Sequence, residues 1–300
     1  MKKGMNEMMK KLLAAALIVA MVFAFAACGD KEDDGGDKKD YSKASLEEIK
    51  ADLKTVTDGT LTVATSPDFA PYEFYTVDDN GDYHLAGFDM ALAQYIADYL
   101  DLKLEVIPMD FDGTLEELAT KSVDLGVAGY SPDKKRKEKM DFSIIYYSGG
   151  QSFCVKKSNA DLFADLEAAN DAKYSIAAQN GSIQFDLAKK HSPNADIVAL
   201  QKVTDIIAEL ISGKVDGAYI ETAVAETYAK SYPDLLVKFD VPYDAKGSAI
   251  GVSKGNAALL AGVNMAVQAA LDDGSMDKFI AEANEAASST KIYEGLVEKK

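Results

Sequence analysis

The chain has 300 residues, 48% of them hydrophobic, which is enough apolar material for about two packed domains and excludes a wholly disordered protein. Its 49 acidic residues against 32 basic ones give a formal charge of -17, which argues against nucleic acid and against a polybasic membrane patch. Two cysteines cannot build a disulfide scaffold or a four-cysteine zinc site.

At the N-terminus, Lys2, Lys3, Lys10 and Lys11 precede an apolar run from Leu12 to Ala27. That run is shorter than the roughly 20 residues needed to span a bilayer as a helix. A basic start, a short apolar run and small residues (Ala26, Ala27) before Cys28 read as an export signal over 1–27. The pattern resembles a bacterial lipoprotein signal, in which Cys28 would be lipidated and become the mature N-terminus; a plain secretory signal with an incidental cysteine is the alternative. Residues 28–44 are charged, Gly-containing and nearly free of large apolar groups, so they read as a tether. Order is expected from Ser45-Leu46-Glu47-Glu48, a capping-box pattern.

Beyond the tether the chain alternates. Leu61–Ala64 reads as a strand that stops at Ser66-Pro67, and Gly87–Leu100 has apolar residues at helical spacing. Leu102–Ile107 is a strand, Thr114–Thr120 a helix and Asp124–Ala128 a buried strand. The order βαβαβ predicts a parallel sheet flanked by helices. A second series follows: strands at 152–155, 174–178, 197–200 and 216–220, with helices at 182–190, 204–211 and 222–230. Lys121–Leu125 and Gly213–Gly217 look alike, through either duplication or the sameness of helix-to-strand turns. A strand at 248–252 and helices at 256–272 and 276–287 close the chain. The reading is an α/β protein of two lobes: 45–148 in lobe 1, 149–241 in lobe 2, and 242–300 returning to lobe 1. The expected crossings lie near Ser148-Gly149-Gly150 and Val241-Pro242-Tyr243. Clefts between such lobes take small ligands.

Much chemistry is missing. No phosphate-binding glycine loop, dinucleotide fingerprint or nucleophile elbow occurs. His84 and His191 lack any metal-ligand context, so no metal or cofactor is expected. Cys154, inside an apolar strand, reads as a buried, inert thiol.

Taken in order, Leu61–Phe74 (LTVATSPDFAPYEF), Gly87-Phe88-Asp89, Asp110–Gly113, Gly129-Tyr130-Ser131, Arg136, Asp141-Phe142-Ser143, Gln179–Gln184, Val215-Asp216-Gly217 and Glu221 resemble the family 3 extracellular solute-binding proteins, the polar-amino-acid receptors of ABC importers. The resemblance runs from about Thr60 to Ala287. It implies the two-lobe type II periplasmic-binding-protein fold, each lobe a mostly parallel sheet flanked by helices, joined by two hinge crossings. It also implies a free amino acid as ligand, ABC permease subunits as partners, a membrane link through lipid on Cys28, and a monomer.

The resemblance assigns roles residue by residue. Arg136 corresponds to the arginine that grips the ligand α-carboxylate. It is the single arginine of the chain, and a guanidinium offers a bidentate fork that lysine does not. By composition alone, Lys134-Lys135-Arg136-Lys137 would be an ordinary charged surface helix. Gly129 and Ser131 correspond to positions that meet the ligand backbone. Ser182 corresponds to a helix start suited to an anion, or is a simple N-cap. Glu221 stands where the family usually has Asp against the α-ammonium; otherwise it is a solvated helix-start residue. Phe69 and Phe111 correspond to the walls around the ligand side chain, with Tyr72 beside them; as aromatic residues they also suit a core. Asp89 reads as helix-start capping. Ser66 corresponds to a position often Asp in receptors for cationic ligands, and Gln179 replaces a lysine of glutamine receptors, so a neutral or small polar amino acid is expected. The competing functions are an enzyme on this fold, similar to cyclic-acid dehydratases, with Glu221 as acid or base, and a ligand-sensing subunit.

Overall fold

The computed structural model describes residues 39–244, 247–289 and 291–293. The expected signal peptide, Cys28 and the tether as far as residue 38 lie outside the described residues. From Tyr41 onward the described residues form one compact unit.

Helix α1 (Leu46–Asp52) starts where its capping box demands. The Glu48 amide donates to Ser45 Oγ at 3.3 Å and the Ser45 amide donates to Glu48 Oε2 at 2.8 Å, satisfying two otherwise orphaned donors. Ser45→Ala is expected to cost about 1 kcal/mol and lower Tm by a few degrees, measurable by thermal denaturation. Upstream, Tyr41 donates its hydroxyl to Asp52 Oδ2 at 3.0 Å. The end of the expected tether, 41–44, is therefore folded against α1: one aromatic hydroxyl supplies a contact that a composition reading does not count.

The chain then runs β1 (Thr60–Thr65), β2 (Asp68–Phe69), β3 (Glu73–Val77), β4 (Tyr83–Ala86), α2 (Phe88–Tyr99), β5 (Lys103–Pro108), α3 (Phe111–Ala119), β6 (Leu125–Gly126), α4 (Lys134–Lys139) and β7 (Met140–Tyr147). It continues through β8 (Gln151–Lys156), β9 (Ser175–Gln179), α5 (Ile183–His191), β10 (Asp196–Leu200), α6 (Val203–Ser212), β11 (Gly217–Glu221), α7 (Thr222–Ser231) and β12 (Leu235–Asp240). The last elements are β13 (Ser248–Ser253), α8 (Ala257–Asp272), α9 (Ser275–Ser289) and β14 (Lys291–Tyr293).

Two five-stranded sheets organise these elements, in the orders β5-β1-β6-β13-β7 and β10-β9-β11-β8-β12. In the first, β1 pairs in parallel with β5 and β6, and β13 runs antiparallel to β6 and β7. In the second, β9 pairs in parallel with β10 and β11, while β8 runs antiparallel to β11 and β12. The chain leaves the first sheet after β7, crosses at 148–150, and returns between β12 and β13. A smaller antiparallel sheet joins β2, β3, β4 and β14. Its β3–β4 hairpin turns over Asp78–Asp82, and the sequence reading leaves it unassigned because the strands are short and β4 is largely exposed.

The similarity of Lys121–Leu125 to Gly213–Gly217 acquires a physical meaning. Asp124, just before β6, accepts from the Thr62 amide (2.9 Å) and hydroxyl (2.6 Å) at the start of β1. Asp216, just before β11, accepts from the Ser175 amide (3.0 Å) at the start of β9. Each lobe thus pins the start of one strand with the aspartate that precedes its parallel neighbour.

Candidate ligand-binding cleft

Arg136 lies on the short, lysine-rich helix α4, yet it is the only buried residue of that helix. The helix is fixed by Asp133, whose carboxylate accepts from the Arg136 amide at 2.9 Å and lies 3.5 Å from the guanidinium Nε. From there the guanidinium reaches inward. Its Nη1 donates to the Ser131 carbonyl at 3.0 Å, and its Nη2 donates to the Gly181 carbonyl of the other lobe at 3.2 Å. Its carbon lies 5.5 Å from the Phe111 ring centroid and 5.8 Å from that of Tyr130, within cation–π range. Burial lowers its pKa, opposed by the Asp133 charge, and an arginine keeps its proton under such conditions. The composition reading of a surface arginine fails because one turn of helix places this single position inward.

The lobe 2 face opposite Arg136 is the start of α5. Ser182 is its N-cap: the hydroxyl accepts from the Phe185 amide at 3.1 Å and donates to the Gln179 carbonyl at 2.7 Å. Asn180 donates its side-chain amide to Asp112 Oδ2 at 2.7 Å, a second bond between the lobes.

Gly129 has φ +57°, a left-handed conformation that favours glycine, and a Cβ there would sit 2.9 Å from the Phe69 ring. Its amide donates to Asp89 Oδ2 at 2.9 Å. This corrects the reading of Asp89: its side chain holds Gly129 rather than capping α2, whose N-cap is Gly87. Burial pushes the Asp89 carboxyl up to about 6. Phe69, Tyr72 and Phe111 are buried; Phe69 stands 5.2 Å from Tyr72 and Phe111 stands 5.7 Å from Tyr130.

Glu221 closes β11 and caps α7, accepting from the Val224 amide at 2.9 Å through Oε2. Its other oxygen is buried without a hydrogen-bond partner. That oxygen and the Tyr72 hydroxyl converge on the first crossing: a Cβ on Gly149 would lie 2.5 Å from Glu221 Oε1 and 2.9 Å from the Tyr72 oxygen. A side chain at Gly149 would have to displace one of these two groups. Burial pushes the Glu221 carboxyl up to about 7, partly offset by the Val224 amide.

Ser66 is buried and donates to Asp68 Oδ1 at 2.7 Å. Asp68 in turn accepts through Oδ2 from the Gln179 side chain at 3.1 Å and from the Val203 amide at 2.6 Å. Burial pushes its carboxyl up to about 6 against those donors. Sequence reasoning passed over Asp68, although its place between Ser66 and Phe69 in the quoted motif was the available signal.

The structure thus brings Arg136, Ser131, Phe111 and the start of α5 at Ser182 to one end of the lobe junction. Glu221 and Tyr72 meet at the hinge, Phe69 and Gly129 lie against Tyr72, and Ser66 joins Asp68 and Gln179. Cys154 is buried on β8, where burial pushes its thiol up and so disfavours the reactive thiolate. Among the described residues no cluster of His, Cys, Asp and Glu could hold a metal ion.

A curated relative, the arginine-binding extracellular protein ArtP of Bacillus subtilis, is 31% identical over 90% of this chain and 96% of its own length. A solved amino acid ABC transporter substrate-binding protein, AbpA from Streptococcus pneumoniae bound to L-arginine, superposes with a TM-score of 0.74 at 32% identity, covering 81% of this chain and 99% of the other. A third relative is an enzyme: the cyclohexadienyl dehydratase of Pseudomonas aeruginosa, 26% identical over 68% of this chain and 75% of its own length. Residues 61–283 match the family model itself, and the chain belongs to the bacterial extracellular solute-binding proteins, family 3.

Proposed function

We propose that the protein is the receptor subunit of an amino-acid ABC importer and captures a free L-amino acid between its lobes. Arg136 carries the reading: the chain's single arginine is buried where the lobes meet and hydrogen-bonds a carbonyl from each. In this reading its fork takes the α-carboxylate, assisted by Ser131, the backbone at Gly129 and the helix start at Ser182. The free oxygen of Glu221 and the Tyr72 hydroxyl take the α-ammonium. Phe69 and Phe111 flank the side chain, with Ser66 at its edge. Each lobe supplies part of the grip, so the ligand favours closure by its higher affinity for the closed state, and the permease then meets a closed receptor.

The arginine-binding relatives support a cationic ligand, and L-arginine is the first ligand to test. This differs from the expectation of a neutral ligand drawn from Ser66. Arg136 and Glu221 match a zwitterionic backbone, while both oxygens of the buried Asp68 carboxylate already accept from protein donors.

Purified protein is unfolded and refolded to strip bound ligand, then scanned by thermal shift against the twenty amino acids. At about 100 times its Kd the ligand should stabilise by roughly 2.7 kcal/mol, several degrees in Tm. No shift with any amino acid would overturn the receptor reading. The protein is then an exported lipoprotein anchored through Cys28 and working as a monomer; mass spectrometry of the membrane-extracted N-terminus and sizing of the soluble part test these points.

A dehydratase-like enzyme is the second reading. It is favoured by a carboxyl held near neutrality at Glu221 and by the dehydratase relative. Turnover of a cyclic acid by the purified protein would establish it. The complete amino-acid grip favours binding without reaction.

A further inference from the structure

Helix α6 begins without a cap of its own. Lys202 is its N-cap residue and makes no side-chain capping bond. The first amides of a helix have no acceptor within the helix, and a carboxylate is the best partner for them. The acceptor for the Val203 amide comes instead from another part of the chain: Asp68 Oδ2, at 2.6 Å. Asp68 is on β2, which precedes the first crossing, and α6 lies in the second-sheet lobe. The same oxygen accepts from Gln179 at 3.1 Å, on β9 of that lobe, and Gln179 also donates to the Gln201 carbonyl at 3.1 Å, just ahead of α6. Tyr228 of α7 reaches the Asp68 carbonyl from the same side. Ser66 holds the second carboxylate oxygen from within lobe 1 at 2.7 Å, so the side chain is aimed before the lobes meet.

We propose that Asp68 is the closing clasp of this receptor, a lobe 1 carboxylate that becomes the N-cap of lobe 2 helix α6 only when the lobes are together. The inference rests on the reading of the protein as a receptor that closes on its ligand. Opening the lobes strips the Val203 amide and the Gln179 amide of a partner at once, so the clasp adds to the closed state whichever ligand is held. It is a positioning residue: its donors are protein groups, and it selects for closure, not for one side chain.

The test compares wild type with Asp68→Ala and Asp68→Asn, checked first for unchanged folding by circular dichroism. Amide exchange at Val203 is followed by NMR with and without saturating L-arginine, and Kd is measured by calorimetry for L-arginine and L-glutamine. The clasp predicts at least about tenfold faster exchange at Val203 in Asp68→Ala, and weaker binding of every amino acid the wild type accepts, by a similar factor. Asp68→Asn keeps one acceptor and should fall between. Unchanged exchange at Val203 overturns the proposal. So does a variant that loses L-arginine alone while keeping or gaining L-glutamine, which would make Asp68 a counter-charge for the ligand. If wild type binds no amino acid while the exchange difference persists, the receptor reading fails and the clasp stands.

Discussion

Replacing Arg136 with lysine is expected to weaken amino-acid binding by about 100-fold or more, with alanine worse, as measured by calorimetry on the stripped protein. The guanidinium makes two directed bonds, to Ser131 and Gly181, and keeps further N–H groups for a carboxylate. Lysine retains the charge but is a point donor on a flexible stem and loses the planar fork. Removing one partner of a buried ionic contact costs about 3–5 kcal/mol, and each 1.4 kcal/mol is tenfold in affinity. The bond to the Gly181 carbonyl also spans the lobes, so the alanine variant loses part of closure itself. Near-wild-type affinity in Arg136→Lys would remove Arg136 from the site.

Glu221→Gln should uncouple stability from binding. Burial raises Glu221 from 4.5 to about 7, and Asp68 and Asp89 from 3.8 to about 6. A carboxyl raised in the folded state contributes stability that is full below its unfolded pKa and is lost as pH rises through the folded one. The ligand-free protein should therefore be most stable near pH 4–5 and lose Tm progressively to about pH 8. The carboxylates with lowered pKa, Asp78, Asp171 and Asp273, are exposed and screened, and oppose this trend only weakly. At pH 8 the charge on Glu221 costs about 3 kcal/mol, which the glutamine variant recovers while keeping an acceptor for the Val224 amide. Binding should move the opposite way. An α-ammonium needs the ionised carboxylate, so wild-type affinity should fall as pH drops below about 7, and the glutamine variant should bind weakly with little pH dependence. A Tm that rises from pH 5 to pH 8 would contradict the burial cost assigned to these carboxyls, and a glutamine variant with wild-type affinity would contradict the placement of Glu221 in the grip.

The legibility of the chain follows the range of the forces involved. Helix α1 was readable because its capping box lies within four residues, and α2 because Leu92, Ala93 and Ile96 recur at the helical period and are buried as that period requires. Eight of the ten strands of the two central sheets were readable from short β-rich runs alternating with helical ones, since parallel strands need such crossovers, whereas the antiparallel edge strands β7 and β12 went unassigned. The β3–β4 hairpin was missed because its second strand is largely exposed and carries no clean alternation.

The site divides in the same way. Ser182 announced itself as an N-cap because a cap is local, and it caps α5. Residue types and spacing within each segment, together with the family resemblance they carry, determined the α/β class, the order of elements and the positions to watch. Which face of a six-residue helix turns inward is decided by the neighbours it docks on, so the burial of Arg136 belonged to the tertiary structure. The same is true of Asp89 and Asp68. A carboxylate's partners Gly129, Gln179 and Val203 lie 40 to 135 residues away along the chain, and no local pattern encodes them. A raised pKa likewise depends on how much water the packed lobes exclude, and only packing decides that.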